Sequence, residues 1–202
     1  MGATALKLME VFNTMENSGA LLITYPDYPV DTDTWYGYTT MVGHAGVLLI
    51  RFDGFTKYYE FGRYDEPKHG VVRNQSVPNA VIASDGRATP ESLKNILSVL
   101  STKSGKKTRI RAAYFINVDF DKMLAQATAT QPQYEISGFN CGNYAESVIL
   151  KGNPRIDKPL IINPIPNNIV DEYIEEGNAE VLFSPTTGDI SIGQGDESDA
   201  KN

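Results

Sequence analysis

One stretch limits the folds open to this chain more than any other. Val42 to Phe52 is almost continuously apolar, Asp53-Gly54 follows as a turn signal, and Thr56 to Tyr64 supplies a second run rich in aromatic and β-branched residues. Two such runs joined by a tight turn predict an antiparallel β-hairpin. The first run is apolar at neighbouring as well as alternate positions, so both of its faces must be covered. The first run therefore reads as a buried strand, in a chain whose strand and helix signals together make an α+β protein.

The rest of the chain supplies the elements for that. Thr4 can cap a helix whose apolar residues Ala5, Leu8, Met9, Phe12 and Met15 fall at helical spacing, and Ala20 to Thr24 reads as a short strand. Thr89-Pro90-Glu91 places a cap, a proline and a first-turn acid ahead of a helix running to Ser101. Arg109 to Val118 reads as a strand. Asp119 caps a helix from Phe120 to Ala127, and Asn140 caps another from Cys141 to Leu150. Val71-Val72 and Ala80 to Ala83 are weaker strand signals, Ile169 to Glu176 reads as a helix, and Glu180 to Phe183 as a strand. From Pro185 the chain has little to bury and is expected to fray. One domain over residues 1–184, with a flexible tail over 185–202, suits a chain of 202 residues.

Composition excludes several function classes. A net charge of −7 disfavours nucleic-acid and anionic-membrane surfaces, which reward clustered Lys and Arg. The basic cluster Lys103 to Arg111 reads as a solvated turn. No apolar run is long enough to span a membrane. Met1 to Glu10 lacks a basic region followed by an apolar stretch, so no secretory signal is expected. The protein is expected to be made in the cytoplasm and to leave, if it does, by a route that reads no cleavable signal. With one cysteine and two histidines, no disulfide and no metal cluster can be assembled, and no cofactor is expected.

That single cysteine carries the chemical reading. Asn140-Cys141-Gly142-Asn143 puts a thiol in the first turn of a helix, where free backbone N–H groups and the positive end of the helix dipole favour a thiolate. Asn140 and Gly142 flank the sulfur and are read as part of the substrate site, Gly142 leaving room for substrate to approach. His44 stands between Gly43 and Ala45-Gly46 at the head of the buried strand, where small neighbours let another element come close. It is the candidate base, and His69 is the weaker one. Folding the hairpin about Phe52 to Gly54 brings Glu60 opposite or diagonal to His44, so Glu60 is the candidate that orients the imidazole, with Asp65 as the fallback. Trp35, Tyr36 and Tyr38 lie in the long loop Tyr25 to Thr40, which reads as a wall over the site.

These residues resemble a known family. A His at the head of a Gly-His-Ala-Gly strand, an acid on the next strand and a late Asn-Cys opening a helix look like the circularly permuted, papain-like branch of the NlpC/P60 superfamily. Gly43 to Leu150 carries the likeness. The runs Tyr-Tyr-Glu-Phe-Gly-Arg-Tyr and Phe-Asn-Cys-Gly-Asn-Tyr are similar to those of small amidase-like effectors delivered by type VI secretion systems. The resemblance implies a papain-like fold with an antiparallel sheet against helices, and a cysteine peptidase or amidase acting on peptidoglycan stem peptides in the periplasm of a target cell. It also implies a cognate immunity protein and a carrier in the secretion apparatus. Lipid acyltransferases and thioesterases share the permuted order, so a lipid or acyl-thioester hydrolase stays open, as does an inactive toxin or binding module. Residues 1–40 and those after Asn153 match no motif.

Overall fold

The structure, a computed structural model, describes residues 18–31, 39–40, 43–65 and 68–193. Among them, nine strands and four helices follow one another: β1 (Gly19–Tyr25), β2 (Val30–Asp31), β3 (Thr39–Thr40), β4 (His44–Ile50), β5 (Thr56–Gly62), β6 (Val71–Gln75), α1 (Pro90–Lys103), β7 (Ile110–Ile116), α2 (Phe120–Thr128), α3 (Cys141–Gly152), α4 (Pro166–Glu175), β8 (Ala179–Phe183) and β9 (Ile190–Ile192). The helix expected after Thr4 lies outside the described residues.

Seven strands form one antiparallel sheet in the order β6-β5-β4-β1-β7-β8-β9, and β2 pairs with β3 separately. The central strands are covered on both faces, and their period of two divides the core. Ala20, Leu22, Val47, Leu49, Ala113 and Phe115 join one cluster with residues of α2, α3 and α4. Leu21, Ile23, Leu48, Ile50, Ala112 and Tyr114 join a second cluster with Leu93, Ile96, Leu97 and Leu100 of α1. Each large side chain so buried contributes roughly 1.5–3 kcal/mol, which is why an apolar run without alternation is stable here as a strand.

Local signals fix the helix starts. The Thr89 and Asp119 side chains accept from Ser92 N and Lys122 N. α3, which carries the cysteine, is tied to its surroundings by Glu146: the buried carboxylate accepts from Lys158 Nζ at 2.8 Å and Tyr173 Oη at 3.1 Å.

Several expectations change. Ala80 to Ala83 is no strand: Ile82 makes a single bridge to Ala88, while Ala80 N is taken by Gly54 O and the Thr56 hydroxyl. α4 starts at Pro166, because proline suits a first helical turn. Past residue 184, where a fraying tail was expected, Ile190–Ile192 pairs with β8 and adds an edge strand to the sheet. Among the described residues no helix is long and apolar enough to cross a membrane.

Candidate active site

The hairpin register sets the geometry. Gly46 of β4 lies opposite Glu60 of β5, so Glu60 is diagonal to His44 and on the same face. The imidazole Nε2 is 3.2 Å from Glu60 Oε2. Gly46 is required at this point: a Cβ there would sit 2.1 Å from the Tyr58 hydroxyl, which donates to Glu60 Oε2 at 3.2 Å. On the next strand Arg73 lies opposite Glu60 and donates to Oε1 from Nε at 3.1 Å and Nη2 at 2.5 Å. Glu60 is fully buried. Burial alone would raise its pKa, but the hydrogen bonds and charges of His44 and Arg73 outweigh that and bring it down to about 2.

Cys141 opens α3 beside the head of β4. Its sulfur takes hydrogen bonds from the His44 ring, the Ala45 amide and the Tyr134 hydroxyl, the last at 4.0 Å. With Nε2 turned to Glu60, Nδ1 is the ring nitrogen left for the thiol. Burial resists a charged sulfur, yet the imidazolium and these donors lower the Cys141 pKa below the ordinary thiol range. Burial likewise pulls His44 down. The charges and hydrogen bonds of Cys141 and Glu60 prevail and push it up to about 10. Each shift favours the charged form of its group, a thiolate beside an imidazolium.

Aromatic rings hold that imidazole. Tyr25 stacks on it with centroids 5.9 Å apart, Tyr28 lies at 5.1 Å, and Tyr64 meets it edge-on. The Tyr64 hydroxyl is 3.0 Å from Nε2, and the Arg73 guanidinium lies 3.4 Å over the Tyr64 ring. Ring faces of this kind favour a cation between them.

The structure thus brings Cys141, His44 and Glu60 together. Asn140 and Gly142, expected at the substrate site, are engaged in the packing of α3. The Asn140 side-chain oxygen accepts from Gly142 N and Asn143 N, and its amide donates to Ile136 O and Pro164 O, so Asn140 caps the helix and holds two loops. Gly142 makes room for α4: a Cβ would meet Ile169 Cδ1 at 2.6 Å and Pro166 Cα at 3.2 Å. Asp65 accepts from His69 N and Gly70 N, which stabilises the turn carrying His69. Trp35, Tyr36 and Tyr38 lie outside the described residues.

The sequence reading missed Tyr58, Tyr64, Arg73 and Tyr134. Tyr58 and Tyr64 stood inside a run already singled out, and Tyr58 shares the Glu60 face by alternation. Arg73 and Tyr134 carry no local signal. Together these groups can form a bond from sulfur to an electrophilic carbon and shuttle one proton through an oriented imidazole.

The model of the type VI secretion system effector TseH-like family matches residues 20–157. The chain belongs to that family. The effector fold agrees: the crystal structure of the type VI secretion system effector TseH has a TM-score of 0.73 to this chain at 23% sequence identity, covering 89% of this chain and 99% of TseH. No curated protein sequence matches the chain.

Proposed function

We propose that this TseH-like effector is a cysteine amidase or endopeptidase that cuts the stem peptides of peptidoglycan in the periplasm of a target bacterium, on a permuted papain-like fold. The line Arg73–Glu60–His44–Cys141 carries the reading: a thiolate, its proton donor and the group orienting that donor lie in sequence within hydrogen-bond reach.

In the proposed reaction the Cys141 sulfur attacks an amide carbonyl carbon and the carbonyl oxygen takes up the negative charge. The Cys141 N–H, at the first helical position and lacking an intrahelical acceptor, and the Tyr134 hydroxyl are the donors proposed for that oxygen. Tyr134 stays neutral for this task, because burial beside the thiolate raises its pKa. His44 gives its proton to the leaving nitrogen as the C–N bond breaks. It then takes a proton from water, the hydroxide adds to the thioester, and the sulfur leaves as thiolate.

The cleft beside His44 supports a peptide over a fatty-acyl substrate. It encloses about 260 Å³ and is walled by Tyr28, Tyr64 and Tyr134, with Pro29 and Val30 its aliphatic surface among the described residues. A lipid hydrolase needs an apolar channel there. A cognate immunity protein and a carrier in the secretion apparatus belong to the same proposal.

The test is digestion of purified bacterial wall by wild-type and Cys141→Ala protein, with fragments identified by mass spectrometry and folding checked by thermal melting. Wild type releases defined fragments and a folded Cys141→Ala protein releases none. Digestion that survives Cys141→Ala ends the proposal, as does hydrolysis of short-chain thioesters with the wall left intact.

A further inference from the structure

The sheet face that holds His44 and Glu60 also holds two phenols that the proposed reaction leaves unused. Tyr25 lies directly opposite His44 across β1 and β4, and Tyr58 shares the Glu60 face of β5 by alternation. Both are fully buried, in the apolar cluster with Leu21, Ile23, Leu48 and the residues of α1. Phenylalanine would fill either place without a hydroxyl to bury, and a buried hydroxyl is costly unless it is hydrogen-bonded. Here the hydroxyls form a chain that ends on the site. The Tyr25 hydroxyl donates to the Tyr58 oxygen at 3.0 Å, and the Tyr58 hydroxyl donates to Glu60 Oε2 at 3.2 Å.

Chemistry sets the direction of that chain. An ionised carboxylate can only accept, so Tyr58 donates and its oxygen is left to accept from Tyr25. Burial raises the pKa of both phenols, which keeps both protons in place. On the far side Arg73 holds Oε1 from two nitrogens, while Oε2 is shared by Tyr58 and His44 Nε2. Without the Tyr58 hydroxyl, Oε2 can swing about the held Oε1. The neutral Tyr64 hydroxyl, 3.0 Å from Nε2, would then take the imidazole from the carboxylate. Tyr25 acts a second time, because its ring stacks on the imidazole with 13° between the planes. That ring is backed by the chain at Gly105, where a Cβ would come within 2.5 Å of Tyr25 Cδ1.

We propose that Tyr25 and Tyr58 are positioning residues acting in series: Tyr25 orders Tyr58, Tyr58 aims Glu60 Oε2 at His44, and the imidazole is thereby held for Cys141. The proposal rests on the cysteine chemistry above and adds two residues to it, neither of which touches the reacting atoms. The imidazole also faces Cys141 from α3, Tyr28 from the loop after β1 and Tyr64 from the loop after β5, with Arg73 of β6 on the far side of Glu60. Removing the two hydroxyls leaves all of these in the chain.

The test reads the imidazole and the sulfur without any wall substrate, so its failure is distinct from failure of the amidase reading. Tyr58→Phe, Tyr25→Phe and the double variant are compared with wild type by NMR titration of the His44 ring, with His69→Gln for assignment. The pH profile of Cys141 alkylation by iodoacetamide is measured alongside. Tyr58→Phe is expected to lower the His44 pKa by about one pH unit and to move the alkaline inflection of the alkylation profile with it. Tyr25→Phe keeps the stacked ring and gives about half of that shift. The double variant shifts no further than Tyr58→Phe alone, because a chain already cut transmits nothing from Tyr25. If Tyr58→Phe does not fold, Tyr25→Phe carries the test. A lowered melting temperature with His44 titrating as in wild type assigns the phenols to packing and overturns the proposal, as does a rise in the His44 pKa. Shifts that add in the double variant overturn the arrangement in series.

Discussion

Replacing Glu60 with glutamine tests the electrostatic core of the site. The carboxylate is fully buried and accepts from His44 at 3.2 Å, from Tyr58 at 3.2 Å and twice from Arg73, at 3.1 and 2.5 Å. Glutamine has the same shape but only one acceptor oxygen, so its NH₂ must face either Arg73 or the His44–Tyr58 side, donor against donor. The folded carboxyl titrates at about 2 against an ordinary 4.5, which corresponds to roughly 3 kcal/mol of stability. Because the folded pKa is depressed, that contribution is present above pH 4.5 and is lost as pH falls towards 2. Glu60→Gln is therefore expected to lower stability at pH 7 by roughly 3 kcal/mol and to flatten the loss of stability between pH 4.5 and 2, measured by urea unfolding at several pH values. His44, held up at about 10 partly by this carboxylate, should fall by about one to two pH units once burial is opposed by Cys141 alone. The chain has two histidines, so NMR titration of the ring C–H signals, with His69→Gln for assignment, reads His44 directly. A His44 that titrates at the same pH in both proteins would refute the view that Glu60 tunes the base.

Two further changes separate chemistry from packing. Tyr134→Phe keeps the ring against Phe61, 5.4 Å away between centroids, and removes the hydroxyl. Turnover on a wall peptide should fall about 100-fold with KM little changed, and unchanged turnover would remove Tyr134 from the mechanism. Gly142→Ala drives a methyl into Ile169 and Pro166, at a cost of about 1–3 kcal/mol set against a helix-propensity gain of about 1 kcal/mol. Ile169→Val in the same chain should restore the melting temperature, whereas a stable variant with a raised KM would return Gly142 to the substrate site.

The parts of the fold legible in the sequence are those whose signals are local. Both faces of β1 and β4, and of β7 from Ala112 to Phe115, are buried, and that shows as apolar runs with little alternation. α1, α2 and α3 announce themselves through Thr89, Asp119 and Asn140, whose side chains bond the first turns. β6 was glimpsed only at Val71-Val72, since Arg73, Asn74 and Gln75 are polar and the strand exists by pairing with β5. β9 is similar: three residues with no pattern of their own, ordered by β8. The site divides along the same line. Cys141 and His44 stood out through their neighbours, and Glu60 through hairpin register, whereas Arg73 and Tyr134 reach the site through tertiary pairing that no local pattern encodes. Asn140 was seen correctly as a cap. Four hydrogen bonds use its side chain, two of them to loop carbonyls that no pattern at the helix start makes legible.

The energetics of the line from Arg73 to Cys141 favour chemistry over structure. Its charges alternate in sign, and three of its four members are buried, so each is stabilised by its neighbours while all lose hydration. Burial opposes the charged form of Glu60, His44 and Cys141 alike, and in each case it is the largest single influence on the group. Buried ion pairs of this kind can often be exchanged for apolar side chains of similar volume with no loss of stability. The sheet around them already has such side chains in abundance, with Val47, Leu48 and Leu49 on the same strand as His44. A chain that needed only to hold β4, β5 and α3 together would do so at lower cost with more of the same. What apolar packing does not provide is a buried sulfur whose charged form is favoured by an adjacent imidazolium, itself held by Glu60.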